Sequence, residues 1–92
     1  MDNPALAHYR RRIDGVDRAL VHLLSERHRL VLSLAAVKEE GDLDVYQPER
    51  EAEMTEVRAA WAAAEGLEPG FVQRLFRDIW AEAKRVQRER RG

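Results

Sequence analysis

Residues 4–40 read PALAHYRRRIDGVDRALVHLLSERHRLVLSLAAVKEE, and apolar side chains recur there at every third or fourth position. This is the heptad spacing of a helix that packs along one apolar seam. Asn3 and Pro4 suit the N-cap and the first position of that helix, and the repeat continues as far as Gly41. The seam comprises Leu6, Tyr9, Ile13, Val16, Leu20, Leu23, Leu30, Leu34 and Val37. The stretch therefore predicts one very long first helix.

A helix of this length is too long for one small domain. About 36 helical residues extend roughly 54 Å, whereas a compact domain of 92 residues is only about 30 Å across. Because the seam stays apolar along nearly its whole length, we expect the same helix of a second chain to cover it. The sequence predicts an all-α fold with three helices per chain in an intertwined homodimer. Residues 1–92 are expected to form a single domain.

Two shorter helices are predicted after the first. Residues 39–47, with one Gly and two Asp, are expected to form a loop. Pro48 is expected to begin the second helix and Gly66 to end it, and residues 68–70 are expected to begin the third. The predicted apolar stripes are Met54, Val57, Trp61 and Ala64 on the second helix, and Val72, Leu75, Phe76, Ile79, Ala83 and Val86 on the third.

The composition excludes several classes of function. The net charge of −1 predicts no general attraction to nucleic acid or to membranes, although residues 84–91 are locally basic. Without cysteine there is no disulfide framework, and no apolar run is long enough for a membrane span, so a cytoplasmic protein is expected. The three histidines lack metal-site spacing, and we expect neither a metal nor a cofactor.

Arg27 is the one charged residue in the apolar seam. Its guanidinium cannot lose its proton, so a buried position requires an anion, either a carboxylate such as Asp17 or Glu26 of the other chain or an anionic ligand. Lys38 follows eleven residues later, which is three helical turns, and is expected on the same side of the helix. Arg10 precedes Arg27 by seventeen residues, which is about 25 Å along the same helix. Only an antiparallel partner chain could therefore bring an Arg10 close to Arg27 and Lys38.

Other polar residues stand beside predicted apolar stripes. Arg50 and Glu51 begin the second helix, and Gln87 lies at the edge of the third stripe. Each residue taken alone has an ordinary structural explanation, such as a first-turn charge, a solvated lysine or a surface amide. Taken together with Arg27 and Lys38, they predict a cationic pocket assembled from all three helices and the neighbouring subunit.

The spacing of these residues resembles the AroQ-class chorismate mutases along essentially the whole chain. The matching positions are Arg10, Asp17, Leu24, Arg27, Lys38, Arg50 and Glu51 within the sequence YQPERE, Leu75, Phe76 and Gln87. The resemblance implies a dimer of three-helix chains entwined through the first helix. It also implies an isomerase that performs the Claisen rearrangement of chorismate to prephenate, in the shikimate pathway and on the route to phenylalanine and tyrosine. Short mutases of this class sometimes work in complexes, so another shikimate-pathway enzyme is a further partner that the resemblance allows.

The resemblance also implies roles for the site residues. Arg27, together with Arg10 of the partner subunit, would hold the two carboxylates of the dianionic substrate, and Arg50 would support them. Lys38 and Gln87 would donate hydrogen bonds to the ether oxygen, and Glu51 would accept one from the ring hydroxyl. A rearrangement of this kind needs no nucleophile, acid, base or cofactor, so preorganised charge and substrate conformation would carry the catalysis.

Two positions depart from the commonest family pattern. Gln47 stands where many members have Asp, and Ala83 stands where some have Ser, which removes a ligand for a substrate carboxylate. These departures leave open a mutase of 4-amino-4-deoxychorismate or an isochorismate pyruvate lyase of the same fold. Residues 61–67, followed by Phe71 and Val72, resemble the lyase. Glu51 favours a mutase, because lyases tend to have an apolar residue there. A non-catalytic helical dimerisation or regulatory module is the alternative outside the enzymes.

Overall fold

Three α-helices make up the chain in the computed structural model, which describes residues 3–40 and 47–91. Helix α1 spans Pro4–Glu40, α2 spans Pro48–Ala64 and α3 spans Pro69–Arg91, so the predicted all-helical chain is confirmed across these ranges. The chain divides into two compact units, of which the first ends at Val31 and the second begins at Leu32. The second unit therefore contains the last turns of α1 together with α2 and α3. A single domain over residues 1–92 stays a prediction.

Helix α1 begins where the sequence predicted. The side-chain Oδ1 of Asn3 accepts a hydrogen bond of 2.9 Å from the Ala5 N–H, which satisfies one of the free donors of the first turn. At the other end α1 continues through Glu40, so the assignment of residues 39 and 40 to a loop was wrong. Glutamate has a high helix propensity, and two of them in succession extend the helix. The remaining predicted loop residues, 41–46, lie outside the described residues.

The apolar seam of α1 is exposed within the single chain. Its large side chains keep between 48% (Leu6) and 70% (Leu30) of their surface accessible. Monomeric proteins rarely expose a contiguous apolar patch of this extent. Ala35 and Lys38, which lie near the end of α1 but outside the seam, are buried.

Helix α2 ends in a Schellman motif. The Leu67 N–H donates to the Ala62 carbonyl at 2.8 Å, and the Gly66 N–H donates to the Ala63 carbonyl at 3.1 Å. Gly66 has a φ of +76°, a left-handed conformation that residues with a Cβ rarely adopt. Gly66 is therefore confirmed as the glycine that terminates α2.

Helix α2 packs against α3, but with a different face from the one predicted. The buried residues of α2 are Arg58 and Ala62, whereas Trp61, which the predicted stripe contained, is 58% exposed. Val72 is the buried residue of α3. The Arg58 guanidinium lies against the Phe76 ring of α3, so the buried face of α2 contains a small and a charged side chain in place of the larger apolar ones.

Helix α3 begins with a carboxylate cap. The Glu68 Oε2 accepts a hydrogen bond of 2.9 Å from the Phe71 N–H, and Pro69 occupies the first helical position. Hydrogen bonds from the backbone N–H groups of Gly70 and Phe71 lower the pKa of Glu68 below its usual value. No helix in the described part of the chain combines the length and the apolar character that a membrane crossing requires.

Replacing Gly66 by Ala should lower the free energy of unfolding by about 1 kcal/mol, because an L-residue is strained at this φ. The added Cβ would meet no atom within 4 Å, so the loss reports the backbone conformation alone. Gly15→Ala is the matched control, since Gly15 lies inside α1 and its Cβ would also meet open space. In chemical denaturation the control should raise the free energy of unfolding by up to about 1 kcal/mol, because Ala has a higher helix propensity than Gly. Equal stability of the two variants would contradict the assignment of the Schellman motif.

Replacing Glu68 by Gln should lower the melting temperature at neutral pH, because the charged cap is lost. A lowered folded-state pKa contributes stability that is present above the ordinary value of 4.5 and lost as the pH falls through the lowered pKa. The difference between wild type and variant should therefore shrink in thermal melts recorded at progressively lower pH. A difference that stays constant down to pH values far below 4.5 would contradict a role for the Glu68 charge.

Candidate functional site

Glu51 is the predicted site residue whose surroundings are best defined. The Arg58 Nη1 donates to Glu51 Oε1 at 2.6 Å, and only 8% of the Arg58 side chain and 17% of the Glu51 side chain are exposed. Both residues lie on α2, seven positions and hence two turns apart, so they share one face of the helix. The result is a charged pair held largely away from solvent.

The guanidinium of Arg58 is held from a second side. Its Cζ atom lies 4.4 Å from the centre of the Phe76 ring on α3, which is the geometry of a cation–π contact. The Thr55 hydroxyl donates to the Glu51 carbonyl at 2.8 Å, one turn along α2. Arg58 is the charged residue that sequence reasoning missed. Its spacing of seven from Glu51 is the signal that would have found it.

Five further predicted residues belong to the same unit as this pair, and three of them lie near the end of α1 and the start of α2. Lys38 on α1 is buried and interacts with another group of the protein. Arg50 and Gln47 are exposed, and Gln47 occupies the N-cap position of α2, where its side chain makes no capping hydrogen bond. The Gln47 carbonyl accepts the first helical bond, from the Glu51 N–H at 3.2 Å. The start of α2 thus places an arginine and a glutamate at adjacent positions.

Helix α3 contributes Ala83 and Gln87, which are both half-buried. They are four positions apart and therefore lie on one face of the helix. The Ala83 side chain has no polar group. Of these two residues, Gln87 is therefore the one whose side chain can form hydrogen bonds.

Arg10 and Arg27 lie in the first unit. Arg10 is exposed, whereas Arg27 is half-buried and interacts with another group of the protein. The grouping of these two arginines with Lys38 and Glu51 in one pocket stays a prediction, as do the roles that the sequence assigned to the site residues.

The basic end of α3 is partly neutralised within the helix. Arg85 donates to Glu82 through Nε at 2.5 Å and through Nη2 at 3.0 Å, and to Glu89 through Nη1 at 2.7 Å. The hydrogen bond to Glu82 is the main cause of a raised pKa for Arg85. Lys84 places its Nζ 4.0 Å from the centre of the Trp80 ring. The two ion pairs of Arg85 reduce the positive charge that this segment could offer to a nucleic acid.

The predicted site residues that the structure describes provide cationic, amide and carboxylate groups. They include a buried lysine, several arginines, a half-buried amide and a carboxylate held by Arg58. Within the described ranges, no group of three or more histidine, aspartate or glutamate residues is arranged to hold a metal ion. The fold and these side chains define a small all-helical protein whose candidate site relies on charge and hydrogen bonding.

Comparison with protein families identifies the class more closely. The family model described as "Chorismate mutase type II" matches residues 9–88. The chain belongs to this family of isomerases, as the spacing of its charged residues predicted.

Individual relatives carry different names within that family. The chain is 39% identical over 74 residues to a T-protein from Enterobacter agglomerans, an alignment that covers 80% of this chain and 20% of that protein. It is 35% identical over 95 residues to an isochorismate pyruvate lyase from Pseudomonas aeruginosa, covering 99% and 93% of the two chains. It is 30% identical over 80 residues to a 4-amino-4-deoxychorismate mutase from Streptomyces pristinaespiralis, covering 87% and 62%. The chain therefore spans about a fifth of the length of the T-proteins that it matches.

Replacing Glu51 by Ala should lower the free energy of unfolding by about 3 kcal/mol, because it leaves the buried Arg58 guanidinium without its counter-ion. Glu49→Ala is the matched control, since Glu49 is an exposed glutamate of the same first turn. This change should lower the free energy of unfolding by about 0.5 kcal/mol. Urea denaturation measures both. Equal losses in the two variants would contradict the buried pair.

Proposed function

We propose that the chain catalyses the rearrangement of chorismate to prephenate, a step toward phenylalanine and tyrosine. The observation that carries the proposal is the half-buried Glu51 carboxylate, which Arg58 fixes in place. A fixed acceptor suits the ring hydroxyl of chorismate, and the match to the family over residues 9–88 supports this substrate class.

The remaining site residues are proposed to bind the rest of the substrate. Arg27 and Arg10 of the partner subunit each bind one carboxylate through the two parallel hydrogen bonds that a guanidinium forms best. Arg50 adds positive charge beside them. Lys38 and Gln87 donate to the ether oxygen.

Catalysis under this proposal depends on conformation and on charge. The arginines hold a flexible dianion in the folded arrangement that brings the two reacting carbons together. Negative charge grows on the ether oxygen as its bond to carbon breaks, and the Lys38 ammonium stabilises that charge. The Gln87 amide donates to the same oxygen without titrating. No proton transfer, covalent intermediate or cofactor is required.

The active form is proposed to be a homodimer entwined through α1. The exposed seam supports this arrangement, because its large apolar side chains gain free energy when a second copy covers them. The antiparallel pairing also gives Arg10 a role, since it would bring this residue to the site of the other chain.

An isochorismate pyruvate lyase is the second candidate. It is supported by the relative of that name, which aligns with nearly the whole of this chain. Glu51 argues against it, since a charged carboxylate takes the place of the apolar residue that is expected in a lyase.

The purified protein should accelerate the loss of chorismate and yield prephenate, as followed by absorbance and by product analysis. Isochorismate and 4-amino-4-deoxychorismate, assayed in parallel, should react more slowly. A Lys38→Ala variant should lose roughly 10²–10³ in kcat, because one donor to the developing oxyanion is missing. Folded wild-type protein that leaves chorismate at its uncatalysed rate would refute the proposed function. Faster turnover of either alternative substrate would reassign it.

Mixing two inactive variants tests the shared site. Arg10→Ala and Lys38→Ala should each be nearly inactive, since each removes one group from every site. Heterodimers formed by refolding the two together contain one site with both defects and one site with neither. Half the dimers in a statistical mixture are heterodimers, so about a quarter of wild-type activity should return.

Cross-linking provides the control for that experiment, because it reports whether heterodimers formed. A mixture that contains heterodimers and yet stays as inactive as its parents would show that Arg10 does not act across the interface.

A further inference from the structure

We infer that Arg58 is a positioning residue, which acts on the ring hydroxyl of the substrate through Glu51. The inference rests on the proposed function, because it assigns a purpose to the partner of a proposed substrate-binding carboxylate. It adds a residue that the family resemblance did not suggest.

The hydrogen-bond geometry leaves Glu51 able to serve a ligand. Arg58 binds Oε1 at 2.6 Å, and Oε2 remains an acceptor on the same rigid group. A glutamate side chain has three rotatable bonds, and a partner two turns along the helix restricts them before any ligand arrives. Ligand binding then costs less entropy than it would with a freely rotating carboxylate.

Arg58 is itself fixed from both sides, which makes it suitable as an anchor. The Phe76 ring lies against its guanidinium at 4.4 Å, and packing between α2 and α3 leaves little of the side chain exposed. The carboxylate position is therefore set by the packing of two helices, which is a more precise support than a loop.

Stability alone gives a weak reason for such a pair. Desolvation of two charges largely offsets their attraction, so a well-packed apolar pair of similar volume would hold α2 and α3 together about as well. What an apolar pair cannot do is hold a hydrogen-bond acceptor at a fixed place. This difference assigns the pair to ligand positioning.

A double-mutant cycle on chorismate turnover tests the inference. Arg58→Met keeps the apolar stem but removes the guanidinium, and Glu51→Gln keeps the shape of the side chain but removes its charge. Each single change should lower kcat/KM roughly tenfold, mostly through KM, because the hydroxyl is bound alike in the ground state and the transition state. Adding Arg58→Met to Glu51→Gln should lower kcat/KM by no more than about a further twofold, since the carboxylate through which Arg58 acts is already lost.

Two further variants guard the interpretation. Arg77→Met makes the same change at an exposed arginine of α3 and should leave kcat and KM unchanged. Arg58→Lys keeps the positive charge if Arg58→Met does not fold, as judged by circular dichroism, and should show the same non-additivity with Glu51→Gln.

The outcomes separate this inference from the proposed function. If the wild type turns over chorismate but the two losses multiply, or appear in kcat alone, then Arg58 does not act through Glu51. If the folded wild type does not accelerate the reaction, the proposed function fails and the inference fails with it.

Discussion

An apolar seam that one chain leaves in water is the constraint on which the rest of this structure depends. Side chains such as Leu20 and Leu30 on α1 remain more than half exposed. At roughly 25 cal/mol for each Å² of apolar surface removed from water, covering a seam of this length is worth more than any single contact within the chain. We propose that the same helix of a second copy covers this seam and that this copy also supplies Arg10 to a shared site.

The pairing of Arg58 with Glu51 shows how a small domain can fix a carboxylate without a large core. Fully buried large side chains are absent from the described residues, whose buried positions are Ala35, Ala62, Val72, Lys38 and Arg58. Phe76 on α3 covers the Arg58 guanidinium, and the guanidinium holds the Glu51 carboxylate. The contact that joins the two helices thus also orients a polar group at the start of α2.

Local signals predicted the starts of the three helices and the end of α2, whereas the end of α1 and the buried face of α2 were predicted wrongly. Asn3 acts through a side-chain hydrogen bond, and Gly66 and Pro69 act through backbone geometry, each within one turn of its helix end. The buried face of α2 depends on its fit against α3. It contains Arg58 and Ala62, whereas the predicted stripe contained Trp61. Arg58 was missed for the same reason, because a charged residue outside the predicted stripe is ordinarily solvated. The family could be predicted because its pattern depends on the spacing of residues along the chain, whereas the role of Glu51 stays a prediction.

Sedimentation equilibrium of the purified chain at micromolar concentration tests the central claim most directly, since the shared site requires two copies. The account predicts a molar mass twice the 10.7 kDa of one chain, together with helical circular dichroism. A folded, helical species of 10.7 kDa would contradict it, because such a monomer would keep the α1 seam in water and could not bring Arg10 to a second chain.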